Sequence, residues 1–202
     1  MSMLPSLALF ALSASITPGP NNAMIMASGV NHGIRKSLPH FVGINLGFFL
    51  MVISVGFGLG AVFEAIPTLH TVIKVLGILY LLYLAWLIAT TPTMAKAQSA
   101  AKPLTLAQAA LFQWVNPKAW VMISGAIATF TSASSSSIYL QVLVVATVFI
   151  TVGTPSCLLW LFGGVGLRRL LNKPQRLKAF NVMMALLLVA SLYPVIQELL
   201  FS

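Results

Sequence analysis

The chain has 202 residues, of which 59% are hydrophobic and only 6% are charged, and its formal net charge is +9. A soluble domain averages about 25% charged residues, so this composition excludes an ordinary water-soluble protein and predicts an integral membrane protein. The positive charge does not imply a nucleic-acid partner, because the basic residues lie in short links between apolar segments. The single cysteine, Cys157, excludes a disulfide framework and a cysteine-rich metal site within one chain.

The apolar segments predict an all-α fold with six transmembrane helices. A membrane-spanning helix needs about 20 apolar residues, and suitable segments lie at residues 3–30, 38–63, 68–89, 105–130, 138–162 and 179–201. The links are too short for a soluble domain, so we expect a single membrane domain over residues 1–202. No basic stretch or convincing cleavage site marks a removable signal peptide at the N-terminus.

The distribution of charge among the links predicts the orientation in the membrane. The second link contains Glu64 and no basic residue, and the fourth, around residues 132–137, is uncharged. The first, third and fifth links carry the basic residues Arg35, Lys36, Lys96, Lys102, Arg168, Arg169, Lys173, Arg176 and Lys178. Since cytoplasmic loops carry an excess of Lys and Arg, we expect these three links inside and both termini on the periplasmic side.

Two prolines interrupt the first apolar segment. They lie in the continuous stretch Thr17, Pro18, Gly19, Pro20, Asn21 and Asn22. Each proline removes a backbone donor and fixes φ, so a continuous helix cannot pass through. A simple kink is one interpretation, because membrane helices tolerate proline kinks. The glycine and asparagines at the same place favour a discontinuous helix that faces protein or a water-filled cavity, as at transport sites.

A second interruption, Asn116, Pro117 and Lys118, lies at a similar depth in the fourth segment. Corresponding breaks in two groups of three helices predict an internal repeat, with one unit at about residues 1–95 and the other at about 100–202. Because three is odd, the second unit must be inverted relative to the first. Two inverted three-helix repeats with discontinuous helices 1 and 4 are typical of secondary transporters, whose sites lie near the midplane.

The residues at the breaks predict two new helix N-termini. Pro20 and Pro117 suit the first helical position, with Gly19 and Asn116 as N-caps. Each N-terminus carries about half a positive charge. Both would begin near the midplane and run to opposite surfaces, so we expect the two ends to converge.

This arrangement predicts a site for a carboxylate. Free N–H groups near Asn21, Asn22 and Ala119 would suit an anion. Lys118 adds a full positive charge at an insertion cost of about 2.5–3.5 kcal/mol, which a purely structural residue seldom carries. We therefore expect Lys118 to bind the substrate carboxylate.

The carbonyl groups that lose donors to proline predict the other end of the substrate. These are the carbonyls of Ala14, Ile16 and Gln113, and we expect them to accept hydrogen bonds from an ammonium. A carboxylate at one end and an ammonium at the other describe an amino acid.

Polar and small residues elsewhere complete the prediction. Gly43 and Gly47 form a small-xxx-small face for a neighbouring helix. Asn45 points away from that face and should face the interior, which makes it a candidate substrate-binding residue. His40 lies near the cytoplasmic end of its helix, where we expect an interfacial position. Packing is favoured over a substrate path for the threonines spaced along the fifth segment, Thr147, Thr151 and Thr154.

Several of these motifs occur together in one known family. They are residues 17–22, His32-Gly33-Ile34-Arg35, Gly43-x-x-x-Gly47, Lys74-x-x-Gly77-x-x-Tyr80-Leu81 with Trp86, and Asn116-Pro117-Lys118-Ala119. With these motifs the chain resembles, over nearly its whole length, the LysE/RhtB superfamily of bacterial amino-acid exporters. Within it, the chain is most similar to the branch containing the cysteine/O-acetylserine exporter. The resemblance implies a secondary exporter of small neutral amino acids or their derivatives in the bacterial inner membrane.

One position departs from the family pattern. Many members have an aspartate directly after the second glycine of helix two, where this chain has Phe48. An acidic residue that would bind a cationic side chain is therefore missing, which argues against export of lysine or arginine.

Other functions need residues that this sequence does not provide. A transition-metal exporter, the alternative within the same superfamily, needs intramembrane ligands, and only His40 and Cys157 are available. An intramembrane enzyme needs a nucleophile–base pair or metal motif, yet the only carboxylates, Glu64 and Glu198, lie near the predicted outer surface. A purely structural protein does not explain two matched breaks with a buried lysine.

The expected partners follow from this interpretation. They are a small amino-acid substrate and the lipid bilayer, with a homo-oligomer possible and neither nucleic acid nor any cofactor or metal expected. Substrate can leave by uniport or in exchange for protons. A carboxylate at Lys118 favours the charged ammonium, so proton uptake there would accompany substrate binding, which is the wrong sign for exchange. Antiport would need another proton carrier, such as His40.

Overall fold

The computed structural model describes residues 3–59, 65–90, 102–132, 137–171, 173–193 and 196–197. The helices are α1 (Met3–Ile16), α2 (Pro20–Ser54), α3 (Pro67–Ala89), α4 (Leu106–Phe112), α5 (Pro117–Phe130), α6 (Ile138–Arg168) and α7 (Pro174–Ala190). A π-helical turn, Val55–Leu59, continues α2, and a 3-10 turn, Gln113–Val115, continues α4. No strand occurs in these residue ranges, which confirms the all-α prediction for them.

Within the described ranges, three stretches are long and apolar enough to cross a membrane: Pro20–Gly58, Thr71–Ala89 and Ile138–Arg168. Met3–Ile16 and Leu106–Val115 are apolar but shorter, because the breaks divide the first and fourth predicted spans. The arrangement as six spans in two repeats stays a prediction. Glu64, Lys96, Glu198 and residues 133–136, which bear on the predicted link charges, lie outside the described residues.

Helix α2 reverses its direction at Gly33. The stretch Pro20–Gly58 has 39 residues, about twice what one crossing needs. Gly33 has φ 75° and ψ 179°, a left-handed conformation that favours glycine. Residues before Gly33 run parallel to α6 and residues after it run antiparallel, as the contact pairs Met26–Gly164, Gly33–Arg168, Asn45–Thr154 and Gly56–Val142 indicate.

The link predicted around Arg35 and Lys36 is therefore wrong in its form. Both residues are helical and exposed, and Gly33 alone makes the turn. A single residue in the left-handed region redirects the backbone sharply, so no loop is needed between the two segments.

The glycine face predicted on α2 is confirmed. A Cβ at Gly43 would meet the backbone oxygen of Leu106, and one at Gly47 would lie 2.5 Å from the Cα of Ala110. Helix α4 therefore packs backbone to backbone on this face, as small residues allow within membranes. This packing brings the end of α4, and the break that follows it, beside the first turn of α2.

Apolar clusters surround these contacts. One joins α1, the end of α2, α5 and α6, and another joins the first part of α2 with α3, α4 and α7. The long helix α6 packs along both segments of α2 and along α1. The two helix breaks thus lie inside a packed frame.

Candidate functional site

The first predicted break is confirmed. Helix α1 ends at Ile16, Thr17 and Pro18 are exposed, and α2 begins at the buried Pro20. Gly19 is the N-cap in an extended conformation, φ −177° and ψ 178°, and offers no side chain to the new N-terminus. Among the described residues, no acceptor is bonded to the first-turn N–H groups of Asn21 and Asn22. This N-terminus is therefore open.

The carbonyl groups at the end of α1 are used by the protein itself. The Thr17 hydroxyl donates to the Ala14 carbonyl at 3.0 Å, and the Trp160 indole donates to the Ile16 carbonyl at 3.2 Å. The amide of Asn22 donates to the carbonyls of Ser15 and Thr17 at 2.9 and 2.7 Å. These bonds satisfy the backbone groups that the prolines leave without donors.

The second break is also confirmed, but its N-terminus is closed. Asn116 is the N-cap of α5, with φ −84° and ψ 108°, and its side-chain oxygen accepts from the Lys118 N–H at 3.1 Å. The Ala119 N–H donates to the Asn116 carbonyl at 3.0 Å, and the Asn116 N–H donates to the Gln113 carbonyl at 3.2 Å. Pro117 has no N–H to offer. The N–H groups in the first turn of α5 are therefore bonded within the helix and its cap.

One sequence prediction is wrong in consequence: the Ala119 N–H is not free, because it donates to the Asn116 carbonyl. The carbonyls of Ala14, Ile16 and Gln113 each accept one hydrogen bond from this chain. Because a carbonyl oxygen can accept two bonds, their bonds to a substrate ammonium stay a prediction. The bond from Trp160 to Ile16 depends on tertiary packing, whereas the other bonds are local.

The two breaks meet at one cavity of about 70 Å³. Space of this size holds several water molecules. Predicted site residues that line it are Gly19, Asn21, Asn22, Asn45, Asn116 and Lys118. The other predicted residues, Thr17, Pro18, Pro20 and Pro117, are absent from the lining and shape the breaks behind it.

Lys118 extends from α5 to the first break. Its ammonium donates to the Thr17 carbonyl at 2.6 Å, the Thr17 hydroxyl at 2.8 Å and the Pro18 carbonyl at 3.2 Å. Its stem crosses Gly19, where a Cβ would lie 2.6 Å from the Lys118 Cδ. The ammonium therefore binds the end of α1, where the helix dipole is negative. Glycine at position 19 leaves the room that this side chain occupies.

An amide pair that the sequence analysis missed joins the two breaks. The Asn21 side chain donates to Gln113 Oε1 at 2.8 Å, and Gln113 Nε2 donates back to Asn21 Oδ1 at 3.0 Å and to the Ala109 carbonyl at 2.9 Å. Gln113 is fully buried. The sequence feature that could have indicated this role is a glutamine in an apolar segment just before the second break. The reciprocal bonds hold the start of α2 against the end of α4.

The remaining wall is mostly apolar, with one polar side. Asn45 accepts from the Thr154 hydroxyl at 2.9 Å and donates to the Phe41 carbonyl at 2.8 Å, so its predicted interior position is confirmed. The rings of Phe48 and Phe149 lie 5.3 Å apart. Ala14 and Ala119, whose backbone groups the sequence analysis assigned to the site, also line the cavity. The further lining residues are Ser15, Ile44, Phe48, Phe49, Met122, Phe149, Ile150, Gly153 and Cys157.

The fifth-segment threonines do not form a path beside this cavity. Thr147 and Thr151 are exposed, and each donates to a carbonyl of its own helix, at 2.7 and 2.6 Å. Only Thr154 turns inward, to Asn45. The prediction that packing outweighs a substrate path therefore agrees with these contacts.

His40 departs from its predicted interfacial position. The side chain is 2% exposed. Neither ring nitrogen has a hydrogen-bond partner among the residues that the structure describes. The helix register explains this burial, because His40, Gly43 and Gly47 share one face of α2 and that face is covered.

Comparison with known proteins agrees with the membrane character of the chain. Cysteine/O-acetylserine efflux proteins are similar over most of their length: that of Escherichia coli (strain K12) is 29% identical over 191 residues, 93% of this chain and 94% of the relative. The corresponding protein of Shigella flexneri is 30% identical over 183 residues, 89% and 90% of the two chains. No solved structure matches this chain significantly. The family model "LysE type translocator" matches residues 12–191, so the chain is an integral membrane protein of the LysE type translocator family.

Proposed function

We propose that the protein is a secondary exporter of small neutral amino acids or their derivatives, such as cysteine or O-acetylserine, across the bacterial inner membrane. One observation carries this proposal: Asn21 and Asn22, at the open N-terminus of α2, and Lys118 line the same cavity. The family and the names of the relatives support it. We extend the proposal to six transmembrane helices in two inverted repeats, with both termini periplasmic.

The carboxylate of the substrate binds at the first break. The free N–H groups of Asn21 and Asn22 belong to the first turn of α2, and the partial positive charge of this helix N-terminus attracts anions. Lys118 lies over Gly19 at the same place and adds a charge-assisted hydrogen bond. To reach the substrate, its ammonium exchanges one of its bonds to Thr17 or Pro18 for the carboxylate.

The substrate ammonium binds across the cavity from this break. The Asn45 amide oxygen accepts one bond, from Thr154, and a carbonyl oxygen can accept two. The Ser15 hydroxyl lines the cavity as well. These two groups add side-chain acceptors to the backbone carbonyls that the sequence analysis assigned to the ammonium.

The substrate side chain is neutral and small. Among the residues that the structure describes, those lining the cavity include no carboxylate, so a cationic side chain would enter an apolar wall without a counter-ion from them. Phe48, Phe149 and Met122 form that wall. A short side chain with one polar group fits between this wall and Asn45.

Efflux assays test the proposal. Purified protein in proteoliposomes loaded with a panel of amino acids or divalent metals should export neutral amino acids and leave lysine, arginine and metals inside. The described residues contain no group of three or more His, Cys, Asp or Glu that could hold a metal ion. Selective metal efflux, or no efflux of any amino acid from correctly inserted protein, would contradict the proposal.

The single cysteine provides a binding assay that does not depend on transport. Cys157 lines the cavity, so a bound substrate should slow its reaction with a small thiol reagent such as methyl methanethiosulfonate. Serine or O-acetylserine, which carry no thiol, should protect Cys157, whereas lysine should not.

A further inference from the structure

His40 is a buried titratable residue that substrate recognition does not use. Its side chain is 2% exposed, and within the described ranges both ring nitrogens are without hydrogen-bond partners. Burying a polar group without a partner costs free energy that an apolar side chain of similar size would not cost. A residue kept only for packing has no need of an imidazole there.

The position of His40 connects the predicted cytoplasmic side with the cavity. Ser37, three residues earlier on the same face, is fully buried and bonds Ser28 from the opposite segment of α2 at 2.8 Å. Gly43, three residues later, packs on α4. Ile44, one turn from His40, lines the cavity. The imidazole thus lies between the α2 hairpin and α4, one helical turn from the proposed substrate.

The charged groups around His40 leave an imidazolium without a counter-ion. On the opposite segment of α2, His32 is the titratable residue, and it is close enough to repel a charge on His40. The other groups on the elements flanking this face are the cations Lys102 before α4, Arg168 and Arg169 at the end of α6, and Arg176 and Lys178 on α7. No Asp or Glu occurs in the described residues. This conformation therefore suits the neutral imidazole.

Lys118, the half-buried basic residue at the cavity, is already engaged. Its ammonium donates three hydrogen bonds to oxygens of Thr17 and Pro18. Proton binding and carboxylate binding at this side chain would also reinforce each other, whereas exchange needs them to oppose each other. A separate proton carrier is required for exchange.

We propose that His40 is the proton-binding residue that couples this exporter to the proton gradient. The inference rests on the proposed function. In the outward-facing carrier, a ring nitrogen of His40 takes a proton from periplasmic water. After the carrier turns inward, the N–H bond breaks and the proton passes to cytoplasmic water, while substrate moves the opposite way. The described conformation corresponds to the state after proton release.

Transport in proteoliposomes separates this inference from the proposed function. Exchange of labelled for unlabelled amino acid needs no net proton movement and tests the exporter itself. In wild-type protein, an imposed pH gradient should accelerate net efflux at least threefold. His40→Gln and His40→Asn, which place an amide nitrogen near Nε2 or Nδ1, should still exchange label but lose this acceleration, and His32→Gln should keep it. Wild-type exchange without any effect of the pH gradient, or full acceleration in both His40 variants, would overturn the inference.

The reaction of Cys157 with methyl methanethiosulfonate tests the same inference without a substrate. The rate is measured between about pH 5 and 8, where a histidine that is open to water, as in the outward-facing carrier, titrates. The ionisation of the thiol is common to all variants, so each rate is divided by that of His40→Gln at the same pH. The wild-type and His32→Gln ratios should change by at least twofold across this range, because protonation of His40 changes the conformation around the cavity. Ratios that stay constant with pH would contradict the inference even if no transported amino acid had been found.

Discussion

The two helix breaks have related sequences but opposite hydrogen-bonding states. After Gly19, the new helix has no side-chain cap, and the N–H groups of Asn21 and Asn22 remain open within the described part of the chain. After Asn116, the cap side chain and carbonyl occupy the first donors of α5. A helix break is therefore not by itself an anion site, because the residue at the N-cap decides whether the N–H groups remain available.

Because of this difference, the two breaks contribute different groups to the proposed site. The first supplies an N-terminus with free donors, and the second supplies Lys118, whose stem lies over Gly19. The side chains of Asn21 and Gln113 hold the breaks together. In the proposed site, the first break binds the carboxylate through its free N–H groups, and the second break supplies the positive charge of Lys118.

The largest effect should come from removing the first break. Replacing Pro18, Gly19 and Pro20 together by alanine permits a continuous helix and consumes the free N–H groups. We expect folded, membrane-inserted protein with efflux abolished. Size-exclusion profiles and circular dichroism would establish folding. Efflux near the wild-type rate would mean that the prolines are only structural.

Removal of the charge from the second break should be nearly as severe. Lys118→Met loses a charge-assisted hydrogen bond worth about 1.5–3 kcal/mol, so substrate affinity should fall by about 10- to 100-fold. Lys118→Arg keeps the charge and should retain part of the activity. Protection of Cys157 by serine measures both variants. Equal affinity in the Met variant and the wild type would remove Lys118 from the site.

Two single alanines should separate the roles of the breaks. Gly19→Ala places a Cβ 2.6 Å from the Lys118 Cδ, so we expect affinity to fall by about tenfold with little change in melting temperature. Asn116→Ala removes a cap worth about 1 kcal/mol. It should lower the melting temperature by about 2–4 °C and reduce affinity less than Gly19→Ala does. The reverse order of affinities would contradict the assignment of open and closed breaks.

The smallest effect should have the opposite sign. Thr17→Val removes one of the oxygens that compete with substrate for the Lys118 ammonium. A hydrogen bond of about 1 kcal/mol predicts affinity tighter by about two- to fivefold. Thr131→Val is the matched control, because the Thr131 hydroxyl also bonds its own helix, at Ile127, but does not contact Lys118. A weaker affinity for Thr17→Val than for the control would show that the hydroxyl helps to bind substrate.

The sequence predicted where the helices break, because proline, glycine and asparagine act through local backbone geometry. The two N-cap residues, Gly19 without a side chain and Asn116 with one, already distinguish the breaks in the sequence. The sequence could not predict that the Trp160 indole bonds the end of α1, because this contact depends on tertiary packing. The pairing of Asn21 with Gln113 joins residues far apart in the chain.

The burial of His40 could have been predicted in part from the sequence. Its polarity suggested the membrane interface, yet its spacing from Gly43 and Gly47 places it on the face that those glycines open for packing. The turn at Gly33 was missed because the basic residues that follow it resemble a loop, although they lie on an exposed helical surface.

The central claim is that the first break, with Lys118, binds a carboxylate. It is tested most directly by comparing serine with serinamide, which keeps the ammonium and the hydroxyl but has no carboxylate, as protectants of Cys157. In wild-type protein, serine should protect at a concentration at least tenfold lower than serinamide does, and in Lys118→Met this preference should largely disappear. Equal protection by the two compounds in the wild type would contradict the claim.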